Sequence, residues 1–168
     1  MLELNPVPAE IIGCFGGPEA LDQISGTAEL SVRVAPDELL VLLPEEAGAP
    51  GNRSPELQEQ LDQLDGAGLA LDLSSGYAAW ALRGEERFEA FSRLSAIKLP
   101  APPAAVQGLV AHVPAKVIVR SDVLIVMVSS VLSHHIRERV LRACADLRPV
   151  EGGALQPAGA GGGEREPV

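Results

Sequence analysis

The chain has 168 residues, a net charge of −10 and only 3 % aromatic residues. That length suits one domain with a real core, and a hydrophobic content of 46 % excludes a chain disordered throughout. Few rings and an acid excess exclude a nucleic-acid stacking platform, and no apolar run approaches the roughly 20 residues of a membrane helix.

The charge is uneven. Residues 1–66 hold thirteen acids against Arg33 and Arg53, whereas 67–150 hold ten bases against seven acids. An acidic front third aids solubility and can steer a basic partner. Cys14 and Cys144 belong to no CxxC pair, so no disulfide framework is implied and a reducing cytoplasm fits. The first residues lack the basic start and apolar run of a signal peptide.

In chain order, residues 1–27 are rich in turn formers. Residues 13–18 read as a loop, with Pro18 opening a short helix over 19–24. Residues 28–34 alternate, with Leu30, Val32 and Val34 on one side. A turn at 35–38 leads to a second strand over 39–43, so the two form a hairpin. After a loop, Ser54 as cap and Pro55 open a helix whose Leu57, Leu61 and Leu64 share one stripe, and Gly66 and Gly68 end it.

Leu69, Leu71 and Leu73 share the face of a strand, 74–76 turns, and 77–83 returns with Ala78, Trp80 and Leu82 on one side. Gly84 stops that strand. A helix over 85–96 follows, with Phe88, Phe91 and Leu94 as its buried stripe. Beyond a proline-rich connector, strands are predicted over 108–113, 115–120 and 123–128. The last is apolar on both faces and so belongs at a sheet's centre. Ser129 or Ser130 caps a final helix to about 147, with Leu132, Ile136, Val140 and Cys144 inward. Residues 151–168 read as a disordered Gly/Pro tail.

From Tyr77 the order is β-α-β-β-β-α. This is an α+β fold: a ferredoxin-like split β-α-β sheet with helices on one face, extended or flanked by the N-terminal hairpin. The expected parts are an acidic hairpin-plus-helix segment (1–66) packed on a main α+β core (67–150), then the tail.

Motif chemistry is sparse. His134 and His135 are adjacent, so on a helix they point about 100° apart and make no chelating pair. Gly13, Gly16 and Gly17 lack the lysine of a phosphate loop. Ser74-Ser75-Gly76 is no nucleophile elbow, and Asp72 beside it suits hydrogen bonding to turn amides. Tyr77 and Trp80 lie on opposite strand faces, one for the core and one for the surface or an interface. Arg137, Arg139, Arg142 and Arg148 give the last helix a basic face. A partner contact is therefore assigned to Tyr77, Arg137 and Arg142, with no catalytic or metal-binding residue.

The run Leu71-Asp72-Leu73-Ser74-Ser75-Gly76-Tyr77, then Leu82-Arg83-Gly84-Glu85-Glu86-Arg87-Phe88, then Leu94, resembles the opening of the aminomethyltransferase folate-binding fold. That fold includes the glycine-cleavage T-protein, YgfZ-type proteins and the gamma subunit of heterotetrameric sarcosine oxidase. The short length makes the chain most similar to the gamma subunit. The resemblance implies a non-catalytic companion to a larger flavoprotein or aminomethyltransferase-like subunit. It offers tetrahydrofolate as the one cofactor to consider. The alternative is a stand-alone folate or pterin binder using a cleft beside strands 69–83. The Lys-Gly-Cys-x-x-Gly-Gln stretch of YgfZ-type proteins is absent, and only Asp122 stands where the T-protein has an acidic pair. No folate-site residue is carried over.

Overall fold

A computed structural model describes residues 1–45 and 51–153. In chain order it contains β1 (Glu3–Pro6), β2 (Ala9–Phe15), α1 (Pro18–Thr27), β3 (Ser31–Ala35), β4 (Glu38–Pro44), α2 (Ser54–Leu64) and β5 (Leu69–Asp72). Then come β6 (Tyr77–Arg83), α3 (Arg87–Leu94), β7 (Ala104–Val110), β8 (Val113–Val119), β9 (Val123–Ser129), α4 (Ser133–Ala143) and β10 (Val150–Glu151).

The strands form two sheets. One has the order β10-β1-β6-β9-β8-β7, the other β3-β4-β2-β5. Each is apolar on both faces, so each needs cover on both sides. Ile11, Val32, Leu40 and Leu42 of the smaller sheet meet Ala79, Ala81, Ile118, Ile125 and Met127 of the larger between the sheets. On the smaller sheet's outer face, Ile12, Cys14, Leu39 and Val41 pack against Leu21 and Ile24 of α1 and Leu57 and Leu61 of α2. On the larger sheet's outer face, Leu82, Leu124 and Val126 pack against Phe91 of α3, Ile136 and Val140 of α4, and Cys144 just after it. The result is a four-layer α/β/β/α stack.

The α+β class holds, and the split β-α-β pattern occurs in an unexpected place. β2-α1-β3-β4-α2-β5 is itself a ferredoxin-like unit with antiparallel neighbours throughout. The hairpin β3–β4 therefore does not extend the larger sheet but lies in a second sheet stacked on it, and helices cover two outer faces rather than one. The boundary at residue 66 does not follow the sheets. β1 lies before it yet pairs with β6, while β5 lies after it yet pairs with β2.

Other expectations are corrected locally. Residues 13–15 are not loop but the end of β2, whose Ile12 and Cys14 are buried. A Cβ on Gly13 would sit 2.6 Å from Leu73 Cδ1 and 3.0 Å from the Phe15 ring, so packing selects glycine there. Phe88 is 42 % exposed and stacks under Arg87 instead of joining the core. Ser54 is the first helical residue of α2, and its N–H and hydroxyl bond Asn52. Neither Ser129 nor Ser130 caps α4, which begins at Ser133 after a short 3-10 turn. Glu151 belongs to a strand, since β10 pairs parallel with β1. The rest of the expected tail, 154–168, lies outside the described residues.

β9 sits between β6 and β8, as its two apolar faces require. Gly84 also has a clear cause. Its φ is +97°, and a Cβ there would lie 1.7 Å from the Met1 carbonyl oxygen, so only glycine lets the chain start pass. No described helix is long and apolar enough to cross a membrane.

Candidate functional site

The strand–turn–strand from β5 to β6 is pinned by side chains. Asp72 Oδ1 accepts from the Ser74 N–H (2.9 Å) and hydroxyl (2.5 Å). The Ser74 oxygen in turn accepts the Ile11 N–H, and Leu73 N–H donates to the Ile11 carbonyl. Asp72 thus has the structural turn role expected, and the Ser74 bonds hold its carboxyl below the usual range.

This arrangement sets a row of side chains on the inner face of the smaller sheet. Cross-strand pairing places Leu69 beside Phe15, Leu71 beside Gly13 and Glu38 on the other side of Phe15. Leu73 and Tyr77 reach the inter-sheet core, but Leu69 and Leu71 remain 47 % and 42 % exposed. The apolar inner surface therefore runs out into solvent as a ledge. Part of its backbone edge is closed: Gln58 of α2 accepts the Ala70 N–H at 2.8 Å and donates to the Gly68 carbonyl at 3.0 Å. The ledge offers side chains rather than a free strand edge.

Tyr77 is half-buried beside this ledge, with the Lys116 ammonium 5.3 Å from its ring centroid. Burial first, and then the Glu38 carboxylate, push its phenol above the ordinary value, so the hydroxyl stays protonated at neutral pH. Trp80, on the opposite face, is also half-buried and donates from Nε1 to Ser133 Oγ at 3.0 Å.

Tyr77, Arg137 and Arg142 do not converge. Tyr77 faces the inter-sheet core, whereas α4 packs on the far face of the larger sheet. Arg137 is held by Glu151 through two bonds of 2.5 and 2.8 Å, which lock β10 to α4. Arg142 is 75 % exposed and reaches Glu138 only at 4.0 Å. Arg93 is the hub missed in the sequence. It binds Glu89 within α3 and Asp146 just after α4, and it holds the Asp146 carboxyl below its ordinary value. An Arg four residues after Glu89 was the only sequence signal for it.

His134 contacts Glu138 while His135 bonds the Ala111 carbonyl, so the neighbours diverge as helix geometry requires. Among the described residues no three metal-ligating side chains come together. Cys14 and Cys144 are buried, and burial pushes the Cys14 thiol up to about 11. Two clefts, of about 580 and 740 Å³, lie elsewhere: one between the α1–β3 link and β7–β8, the other between α3, the β7–β8 turn and α4. Neither lies beside strands 69–83, where the pterin cleft was expected.

Two stacked, mainly antiparallel sheets, the smaller a split β-α-β unit and both with helices outside, define the fold class. The same fold occurs in a chain of heterotetrameric sarcosine oxidase from Corynebacterium sp. U-96, solved with pyrrole 2-carboxylate. The TM-score is 0.70 at 16 % identity, over 86 % of this chain and 84 % of that one. It also occurs in glycine cleavage system aminomethyltransferase T from Bartonella henselae. There the TM-score is 0.60 at 13 % identity, over 89 % of this chain but 47 % of that one. No family model matches the chain, and no curated protein matches it in sequence.

Proposed function

We propose that this chain is a non-catalytic companion subunit, resembling the gamma subunit of a flavin- and folate-dependent sarcosine oxidase, that stabilises a larger catalytic subunit. The observation that carries the reading is the asymmetry of the two likenesses. The fold accounts for 84 % of a chain from a heterotetramer but 47 % of the aminomethyltransferase. The exposed Leu69–Leu71 ledge supports it, because apolar surface continuous with a core favours cover by another protein. In this reading a larger flavoprotein or aminomethyltransferase-like subunit covers the ledge. Two free buried thiols fit work in the reducing cytoplasm.

Purification at native expression level tests it. Co-elution with a large flavoprotein is expected, and a lone monomer would refute it. Titration with tetrahydrofolate, followed by Trp80 fluorescence, tests the folate-binding alternative. The companion reading expects no saturable change.

A further inference from the structure

The cleft of about 740 Å³ between the end of α3, the β7–β8 turn and α4 has an apolar floor of Leu94, Ile97, Leu109 and Ala111, with His112 and Arg139 on its walls. We infer that it seats an acidic, extended segment of a partner protein chain, with an apolar side chain on the floor and carboxylates at Arg139 and His112. The inference rests on the companion reading for the source of that segment.

Charge makes the choice of occupant. Arg93 also borders the cleft, but Glu89 and Asp146 already neutralise it. Arg139 is exposed and makes no ion pair among the described residues. The positions one helical turn away are His135, Ile136, Arg142 and Ala143, so no carboxylate on its own helix can reach it. A guanidinium left unpaired beside apolar floor residues, in a chain of net charge −10, is matched by an acid from outside.

The floor is also pre-built, which lowers the ordering cost of binding. Ser95 Oγ donates to the Leu109 carbonyl at 2.6 Å, and Ala111 N–H donates to the Leu94 carbonyl at 2.7 Å. His135 Nε2 donates to the Ala111 carbonyl at 2.9 Å. These bonds hold Ala111 and His112 at φ of 51° and 69°, a left-handed conformation uncommon outside glycine. The turn puts His112 on the cleft wall.

The test titrates the ¹⁵N-labelled full chain with a blocked peptide of alternating Glu and Leu, beside a Lys and Leu peptide of the same length. Shifts should centre on Leu109, Ala111, His112 and Arg139 and saturate by about 1 mM. Arg139→Glu should weaken binding about tenfold with the rest of the spectrum unchanged. His112→Gly, which relaxes the turn, should keep the fold and weaken binding by a smaller factor. Equal binding of the Lys peptide, shifts centred elsewhere, or none at about 5 mM would overturn the inference. Peptide binding without a co-eluting flavoprotein would uphold the groove and count against the companion reading. Co-elution unchanged by Arg139→Glu, with no peptide shift, would do the reverse.

Discussion

The hydroxyl of Ser74 accepts the backbone N–H of Ile11 at 2.9 Å and gives its own proton to Asp72. Ile11 lies in the smaller sheet, and Ser74 stands just ahead of the first long strand of the larger one. One side chain therefore fixes where the chain crosses between sheets. Ser74→Ala leaves the Ile11 N–H without that partner in a part-buried site. It should destabilise the fold by about 1–2 kcal/mol in urea unfolding. Ser74→Thr, which keeps the hydroxyl, should recover part of the loss.

Acid sensitivity should follow from two turn carboxylates. Asp65 is held below its ordinary value by the Gly17 N–H and then the Ala67 N–H, and Asp72 by the Ser74 hydroxyl and then its N–H. A depressed folded pKa gives stability that is present above about pH 5 and lost as pH falls through the folded value, from about pH 4 downward. The double variant Asp65→Asn, Asp72→Asn should flatten that fall. Parallel curves of urea midpoint against pH would show that these groups do not set it.

Gly84→Ala should be severely damaging. It places a methyl 1.7 Å from the Met1 carbonyl at a φ of +97°. A loss on the order of 3 kcal/mol is expected, from backbone strain plus displacement of β1. Amide exchange at Leu2 and Leu4 should speed up before exchange in β9 does.

Both thiols should be silent in the native protein. Cys14 and Cys144 are buried, and burial raises both thiols. An aromatic disulfide reagent at pH 8 should label neither without denaturant and both in concentrated urea. Rapid native labelling of Cys14 would contradict its place under α1 and α2.

The ledge predicts a separation of stability from assembly. Leu69→Ser with Leu71→Ser removes side chains that are 47 % and 42 % exposed, so the melting temperature should change little. Under the companion reading, recovery of a larger partner subunit in co-purification should fall sharply. Unchanged recovery would rule out the ledge as a contact for such a subunit.

Much of the larger sheet was legible because its signals are local. Residues 123–128 are apolar on both faces, and β9 is central for that reason. Asp72 beside a Ser-Ser-Gly turn likewise declared its role. β2 was not legible, because Gly13 reads as a turn former until the Leu73 and Phe15 side chains that fill its space are known. The break between β7 and β8 was hidden in the same way, since Ala111 and His112 are poor turn residues held there by distant bonds. The ledge was only half legible. Alternation says which face Leu69 and Leu71 share, but not how far the opposing sheet reaches over them.

The pairing of β1 has a consequence for synthesis. Leu2 and Leu4 are fully buried, yet the strands on either side of them are β6 and β10. On the ribosome the smaller sheet can close once β5 has emerged, while β1 must wait for β6. Their second neighbour, β10, arrives only with Val150 and Glu151. Leu2 and Leu4 are thus enclosed late, by residues far along the sequence. A nascent chain stalled before α4 would expose Leu2 and Leu4, giving chaperones a handle that the finished protein withdraws.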